Sequence, residues 1–233
     1  ENTSGNVTWC LDNKSFFYIT DAGKEFSYLM EYNIESEESS VLFETNWDVM
    51  YSYLSKGEKY RVIGINEDGK NTLKVYSKLD GKEIEFPSFK DGDILGLEFS
   101  ESENKIRLSI GSSKMPNNLY VYDLDDKSLV KLTNSLNPKI DSKNLVNAKV
   151  IRYKSFDGLE IPAIFYEPLQ ASKNNKVPAL VWVHGGPGGQ SRMSFNPLIQ
   201  YLNNQGYAIL AVNNRGSSGY GKTFYKLDDK NHG

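Results

Sequence analysis

Only one cysteine, Cys10, stands in this chain of 233 residues. That excludes an internal disulfide framework and every metal site built from several cysteines. Cys10 is read as a small apolar residue buried on a strand. Long hydrophobic runs are lacking too. The longest, PALVWV and AILAV, fall far short of the roughly 20 residues that cross a bilayer, so no membrane partner is expected. An excess of one charge sign is also missing. Twenty-seven Lys and Arg face 30 Asp and Glu, for a formal charge of −3, without the basic patch that nucleic-acid binding needs. The chain begins at Glu1 without a basic-then-apolar leader, so any targeting segment is expected to lie outside these residues, and the compartment is read as cytoplasmic. Asn-x-Ser/Thr patterns at Asn2, Asn6 and Asn13 are too short to carry weight.

What is there, first, is a repeat. LMEY at Leu29, LKVY at Leu73 and LYVY at Leu119 are separated by 44 and 46 residues. Shorter runs upstream, starting at Ser15, Lys59 and Lys105, keep the same spacings, and so does a third set starting at Asn6, Met50 and Gly96. Each unit is a series of short strands rich in Tyr, Phe, Val and Ile, broken by Gly, Asn, Asp and Ser turns. A period in the low forties with several strands per unit matches β-propeller blades. About three blades are expected over residues 1–144. Because three cannot close a ring, further blades are expected to precede Glu1. This half is read as a scaffold and gate. NEDGKN at Asn66 and KDGDIL at Lys90 faintly resemble calcium loops but lack the distal glutamate, so they are read as hairpin turns and no metal is expected.

The repeat lapses between Asn134 and Lys149, and a domain boundary is expected near residue 145. Beyond it, KVIRYKS and EIPAIFYEP flank Asp157-Gly158, a hairpin signal. ALVWV and AILAV are apolar runs of strand length, as expected for strands covered on both faces of a mostly parallel sheet. Between them a helix is expected, capped by Asn196, with Pro197 in its first turn, Leu198, Tyr201 and Leu202 as its apolar face, and Gly206 at its end.

The loops following those two strands, HGGPGGQ and NNRGSSGYG, hold the candidate chemistry. Neither has the spacing of a phosphate cradle. His-Gly-Gly at the end of the domain's third strand is where α/β-hydrolases present a backbone N–H to a developing oxyanion. Gly186 is the preferred donor. Pro187, without an N–H, fixes the following turn.

HGGPGGQ followed after a helix by GYAILAVNNRGSSGYGKTF resembles the opening of the catalytic domain of the prolyl oligopeptidase family, closest to its acylaminoacyl-peptidase and dipeptidyl-peptidase-like branch. SFDGLEIPAIFYEP resembles that domain's start, and a β-propeller ahead of it is the family's architecture. The resemblance implies a serine peptidase acting on short peptides, with the propeller restricting access. It implies an oxyanion-hole N–H from Gly186. His184 stands where some relatives carry a tyrosine donor and is read as ordering the loop or supporting the oxyanion. Gly185, Pro187, Arg215, Gly216 and Ser217 are read as shaping the substrate site, with Gly219 completing the RGSxGYG pattern.

An α/β-hydrolase also needs G-x-S-x-G, then an acid, then a histidine. The chain holds no G-x-S-x-G, and its other histidine, His232, is read as a surface residue. The chain is therefore expected to be a fragment, inactive alone, with no cofactor. The strand ending near Val212 is expected to be left as an exposed edge that favours association into a homo-oligomer. An esterase or lipase and a non-catalytic propeller binding protein stay open as alternatives.

Overall fold

Strand-length runs of β-branched and aromatic residues between Asn, Asp and Gly turns dictate hairpins, and hairpins are what form. The computed structural model describes residues 4–89, 92–186 and 188–230. Pro187 and His232 lie outside the described residues, as do Asn2 of the first glycosylation-type pattern and Lys90 and Asp91 of the second calcium-like loop. Strands β1 (Ser4–Trp9), β2 (Ser15–Thr20), β3 (Tyr28–Asn33) and β4 (Glu38–Phe43) make one antiparallel sheet in chain order. Strands β5 (Asp48–Leu54), β6 (Tyr60–Glu67) and β7 (Lys70–Ser77) make a second. Strands β8 (Asp93–Phe99), β9 (Lys105–Gly111), β10 (Asn118–Asp123) and β11 (Leu129–Lys131) make a third.

The repeat is real, but its register is not uniform. The pairs Trp9↔Phe16, Leu54↔Arg61 and Phe99↔Ile106 occupy equivalent places, 45 residues apart each time. In the following strands the partners of Phe16, Arg61 and Ile106 are Tyr32, Tyr76 and Tyr122, which restores the 44 and 46 spacing. Tyr60, not Lys59, therefore stands where Ser15 and Lys105 stand in their sheets. The cause is the β6–β7 connection. Glu67 pairs with Lys70 across the two-residue turn Asp68-Gly69, both at positive φ, so this hairpin is one residue shorter than its neighbours.

The sheets stack by their faces, as propeller blades do. Successive side chains of a strand point to opposite faces, and β6 uses both. Ile63 and Ile65 pack with Phe17, Leu29 and Val49 toward the first sheet. Val62 packs with Val75, Ile106 and Leu108 toward the third. Cys10 is buried in the former cluster, where the Ser15 hydroxyl donates to its sulfur at 3.3 Å.

A separate core cluster runs from Val146 to Ala211. Around it β12 (Ala148–Lys154), β13 (Glu160–Tyr166), β14 (Ala179–Val183) and β15 (Ala208–Val212) form a sheet in the order β12-β13-β15-β14. The first two strands are an antiparallel hairpin turning at Asp157-Gly158, while β14 and β15 are parallel and joined through helix α1 (Pro197–Asn204). Asn196 caps α1 by accepting from the N–H groups of Leu198 and Ile199.

Three expectations about this part need correction. The helix buries Ile199, Gln200 and Asn203, not the Leu198/Tyr201 face, and both Leu198 and Tyr201 are exposed. Gln200 is buried because its amide donates to the carbonyls of Ser113 and Val146 and its oxygen accepts from Val146 N–H, a polar seam that a hydrophobicity pattern cannot reveal. Nor is β15 the edge. It lies inside the sheet between β13 and β14, and β14 is the outer strand, with Val181 and Val183 at 66% and 67% exposure. β14 is thus not covered on both faces.

Candidate functional site

The loops after β14 and β15 meet, because parallel neighbours bring their carboxyl ends to one side of the sheet. His184 spans the gap. Its Nε2 lies 2.9 Å from Ser217 Oγ, and its Nδ1 lies 3.2 Å from the Gly185 carbonyl. The Ser217 hydroxyl donates to Asn214 O at 2.6 Å, which makes Nε2–H the donor toward Ser217. Ser217 is fully buried. A second tie runs from Ser218 N–H to Gly189 O at 3.0 Å.

Gly186 is exposed at φ +96°, and a side chain added there would meet open space. Backbone conformation, not crowding, is what demands glycine at that position. Gly185 is exposed beside it. Gly188 is different, for a Cβ there would fall 2.6 Å from the ring of Tyr225. Tyr225 closes α2 (Lys222–Tyr225), the short helix that follows the second loop.

Arg215 points away from this junction, toward the hairpin. Its guanidinium meets Asp157 Oδ1 at 2.5 Å and Ser155 Oγ at 3.4 Å, and stacks on Phe156 with 5.0 Å to the ring centroid. The Leu159 N–H first, and Arg215 after it, hold the Asp157 carboxyl below its ordinary range. Gly216 is buried, its N–H donating to Phe224 O at 3.1 Å. Of the residues singled out in the sequence, then, His184, Gly185, Gly186 and Ser217 come together, Arg215 and Gly216 brace neighbouring segments, and Pro187 lies outside the described residues.

Residues with no signal in the sequence pattern hold this unit against the propeller-like sheets. Asn66 donates to Gln190 Oε1 at 2.8 Å, and Arg192 donates to the same oxygen at 3.1 Å and to Lys70 O at 3.2 Å. Arg192 is half-buried, and that desolvation lowers its pKa. Asn213, fully buried, donates to Tyr220 Oη at 2.8 Å, and burial pushes the Tyr220 phenol up to about 12. Trp47 packs edge-on against Tyr220. Where the first sheet faces the second loop, a cavity of about 550 Å³ is lined by Asp21, Glu25, Asp48, Gly219, Lys222 and Tyr225. A larger cavity of about 790 Å³, near Trp47, Phe89 and Met193, is lined by residues of the NEDGKN and KDGDIL turns and touches none of the candidate site residues His184, Gly185, Gly186, Arg215, Gly216 and Ser217. Among the described residues no cluster of three or more metal-binding side chains occurs, and no helix is long and apolar enough to cross a membrane.

Stacked antiparallel sheets followed by a strand, a glycine loop, a helix and a parallel strand are an arrangement shared with solved propeller-containing peptidases. Residues 193–233 match the family described as the prolyl oligopeptidase family. The chain is 26% identical over 222 residues to dipeptidyl aminopeptidase BIII of Pseudoxanthomonas mexicana, covering 92% of this chain and 32% of that protein. It is 28% identical to dipeptidyl peptidase family member 6 of Caenorhabditis elegans, covering 93% and 32%. In structure it is similar to a puromycin-hydrolyzing peptidase of Mycobacterium tuberculosis, with a TM-score of 0.77 at 17% identity over 97% of this chain and 35% of that one. The acylaminoacyl peptidase of Pyrococcus horikoshii gives 0.65 at 23% identity over 91% and 33%. The chain is thus similar to prolyl oligopeptidase family proteins, with the family match confined to residues 193–233, and it spans about a third of the length of the curated relatives it matches.

Proposed function

We propose that the chain is part of a serine-type peptidase that hydrolyses short peptides, with residues 1–144 a partial β-propeller and 145–233 the opening of an α/β-hydrolase domain. The observation that carries this reading is the junction of the two loops. Gly186 offers an exposed backbone at the carboxyl end of a parallel strand, and the His184–Ser217–Asn214 hydrogen bonds brace it from behind. Relatives named as dipeptidyl peptidases and a peptidase-family match over the last residues support it. The domain division is supported by core clusters that separate between Leu124 and Val146.

In this reading Gly186 N–H faces the oxygen of a tetrahedral intermediate, where a fixed donor in a water-poor site stabilises developing charge. His184 orders the loop by donating to Ser217. Gly185 and Pro187 give the loop its turn, while Arg215, Gly216 and Ser217 shape the opposite wall. No metal or cofactor takes part. The chain has no G-x-S-x-G, so these 233 residues alone supply the oxyanion side without the nucleophile and do not cleave peptides.

The test is labelling with a fluorophosphonate probe, applied to the full-length gene product and to residues 1–233 side by side. The expected result is one labelled serine within G-x-S-x-G in the full-length protein and none in the shorter chain. Labelling of the shorter chain overturns the assignment of an oxyanion side only, and absence of labelling from a folded full-length protein overturns the peptidase reading.

A further inference from the structure

The connection between β2 and β3, in the first sheet, reaches the short helix behind the glycine loop through one side chain. Glu25 Oε1 accepts from Thr223 N–H at 2.6 Å, and its Oε2 accepts from the Thr223 hydroxyl at 2.8 Å. The Glu25 backbone carbonyl accepts from Lys222 N–H at 2.9 Å. Lys222 returns the contact, its ammonium donating to Asp21 O at 2.8 Å and lying 3.2 Å from Asp21 Oδ2. The approach is so close that a Cβ on Gly221 would fall 2.5 Å from Glu25 Oε1. The first N–H groups of α2 have no partner inside the helix. A carboxylate taking one of them together with a hydroxyl makes a charge-assisted pair stronger than neutral hydrogen bonds.

The other end of α2 touches the candidate site. Tyr225 sits with its ring against Gly188, two residues beyond Gly186. The route from Glu25 to Thr223, along two residues of helix to Tyr225 and onto Gly188, is continuous and short. Each member is fixed by an observed contact.

We propose that Glu25 is a positioning residue for the glycine loop at Gly186 and Gly188, acting across the contact between the first sheet and α2. Glu25 does not touch the place where a substrate would react. It sets where α2 stands, α2 sets Tyr225, and the ring of Tyr225 limits how far Gly188 can move. The consequence for catalysis rests on the peptidase reading given above, whereas the consequence for loop order does not. Because oxyanion donors act only within a few tenths of an ångström of their ideal place, a small displacement is costly in turnover and mild in binding.

The experiment uses the full-length gene product, as wild type, Glu25→Ala, Glu25→Gln, Tyr225→Ala and the Glu25→Ala/Tyr225→Ala double variant. Circular dichroism first shows which variants fold; Glu25→Gln, which keeps an acceptor oxygen for Thr223 N–H, serves if the alanine variant does not. The first readout is amide hydrogen exchange of peptides covering residues 182–190. Roughly tenfold faster exchange is expected in Glu25→Ala, with partial rescue in Glu25→Gln. The second is the split of kcat and KM on a peptide substrate. A roughly tenfold loss in kcat is expected, with KM within about twofold and the double variant no worse than the worse single one. Unchanged exchange in the loop overturns the proposal, and so do additive effects of Glu25→Ala and Tyr225→Ala. If wild type neither cleaves peptides nor takes a fluorophosphonate, the peptidase reading falls, while the exchange result still decides the positioning claim.

Discussion

Glu103 Oε1 accepts the backbone N–H of Gly57 at 2.7 Å, joining the first hairpin turn of the third sheet to that of the second. Glu58, 45 residues earlier, does the same toward the first sheet by accepting from Leu11 N–H at 2.5 Å. Both glutamates, like Asn13 at the equivalent place, sit at φ between 56° and 58°, a region that such side chains rarely occupy. The strain is held because the side chain is committed to the neighbouring sheet. Burial by itself would raise the Glu103 pKa, but the Ser55 hydroxyl, the Gly57 N–H and Lys59 outweigh it and hold the carboxyl below its ordinary range.

A depressed carboxyl contributes stability above the unfolded-state pKa and loses it as pH falls through the folded one. Glu103→Gln is therefore expected to cost about 1–3 kcal/mol at pH 7. Its deficit against wild type should shrink as the pH falls below about 4. Urea midpoints of both proteins from pH 7 down to pH 3 check this, and a deficit that does not change with pH would sink it.

Two tyrosines, Tyr166 buried and Tyr220 partly buried, predict the opposite limb. Burial pushes Tyr166 and Tyr220 up to about 12. Below pH 10 the phenols are neutral in both states and contribute no pH dependence. As pH rises from about 10 toward 12 the unfolded chain gives up these protons and the folded chain keeps them, so stability falls by about 2 kcal/mol per tyrosine. Denaturant titrations between pH 8 and pH 11.5 should show a shallower decline in Tyr166→Phe/Tyr220→Phe than in wild type. Tyr220→Phe should also cost about 1–3 kcal/mol at neutral pH, because the amide of Asn213 loses the Tyr220 oxygen while buried.

Gly186 offers a sharper functional test. Alanine at φ +96° is strained and displaces the backbone N–H, so Gly186→Ala in the full-length protein should lower kcat by about 10²–10³ with little change in KM. Steady-state kinetics with a short peptide decide it. An equal loss in kcat/KM carried wholly by KM would assign Gly186 to binding instead.

The outer strand β14 carries a prediction about handling. Val181 and Val183 are exposed on a strand paired on one side only among the described residues, the arrangement that invites edge-to-edge association. Val181→Lys in residues 1–233 should raise the concentration at which the chain remains monomeric in analytical ultracentrifugation. A monomer–oligomer balance indifferent to that change would move the association surface elsewhere.

Much of this was legible in residues read singly. The Asp157-Gly158 turn, the Asn196 cap and the Tyr32, Tyr76 and Tyr122 spacing all follow from local chemistry, and each is present as read. What failed was non-local. The face of α1 turned because Gln200 found Ser113, 87 residues away. The edge passed from β15 to β14 because β13 pairs with β15, a choice made by tertiary packing and not by either strand's own composition. His184, Gly186 and Ser217 could be named from their motifs, whereas Glu25, Asn66, Arg192 and Tyr225 could not. Their chemistry is ordinary until the fold sets each against a partner far along the chain.

That same strand order has a kinetic consequence. Hairpins of the first three sheets close between residues near in sequence, such as Arg61 with Tyr76, whereas Ala163 must wait for Val212 to be delivered by the whole β14–α1 crossover. Long-range closure is slower because its loop entropy is lost before any contact repays it. During refolding the stacked sheets should therefore acquire protected amides first and β13–β15 last. Pulse-labelling exchange would show it, and early protection at Ile209 would reverse the order.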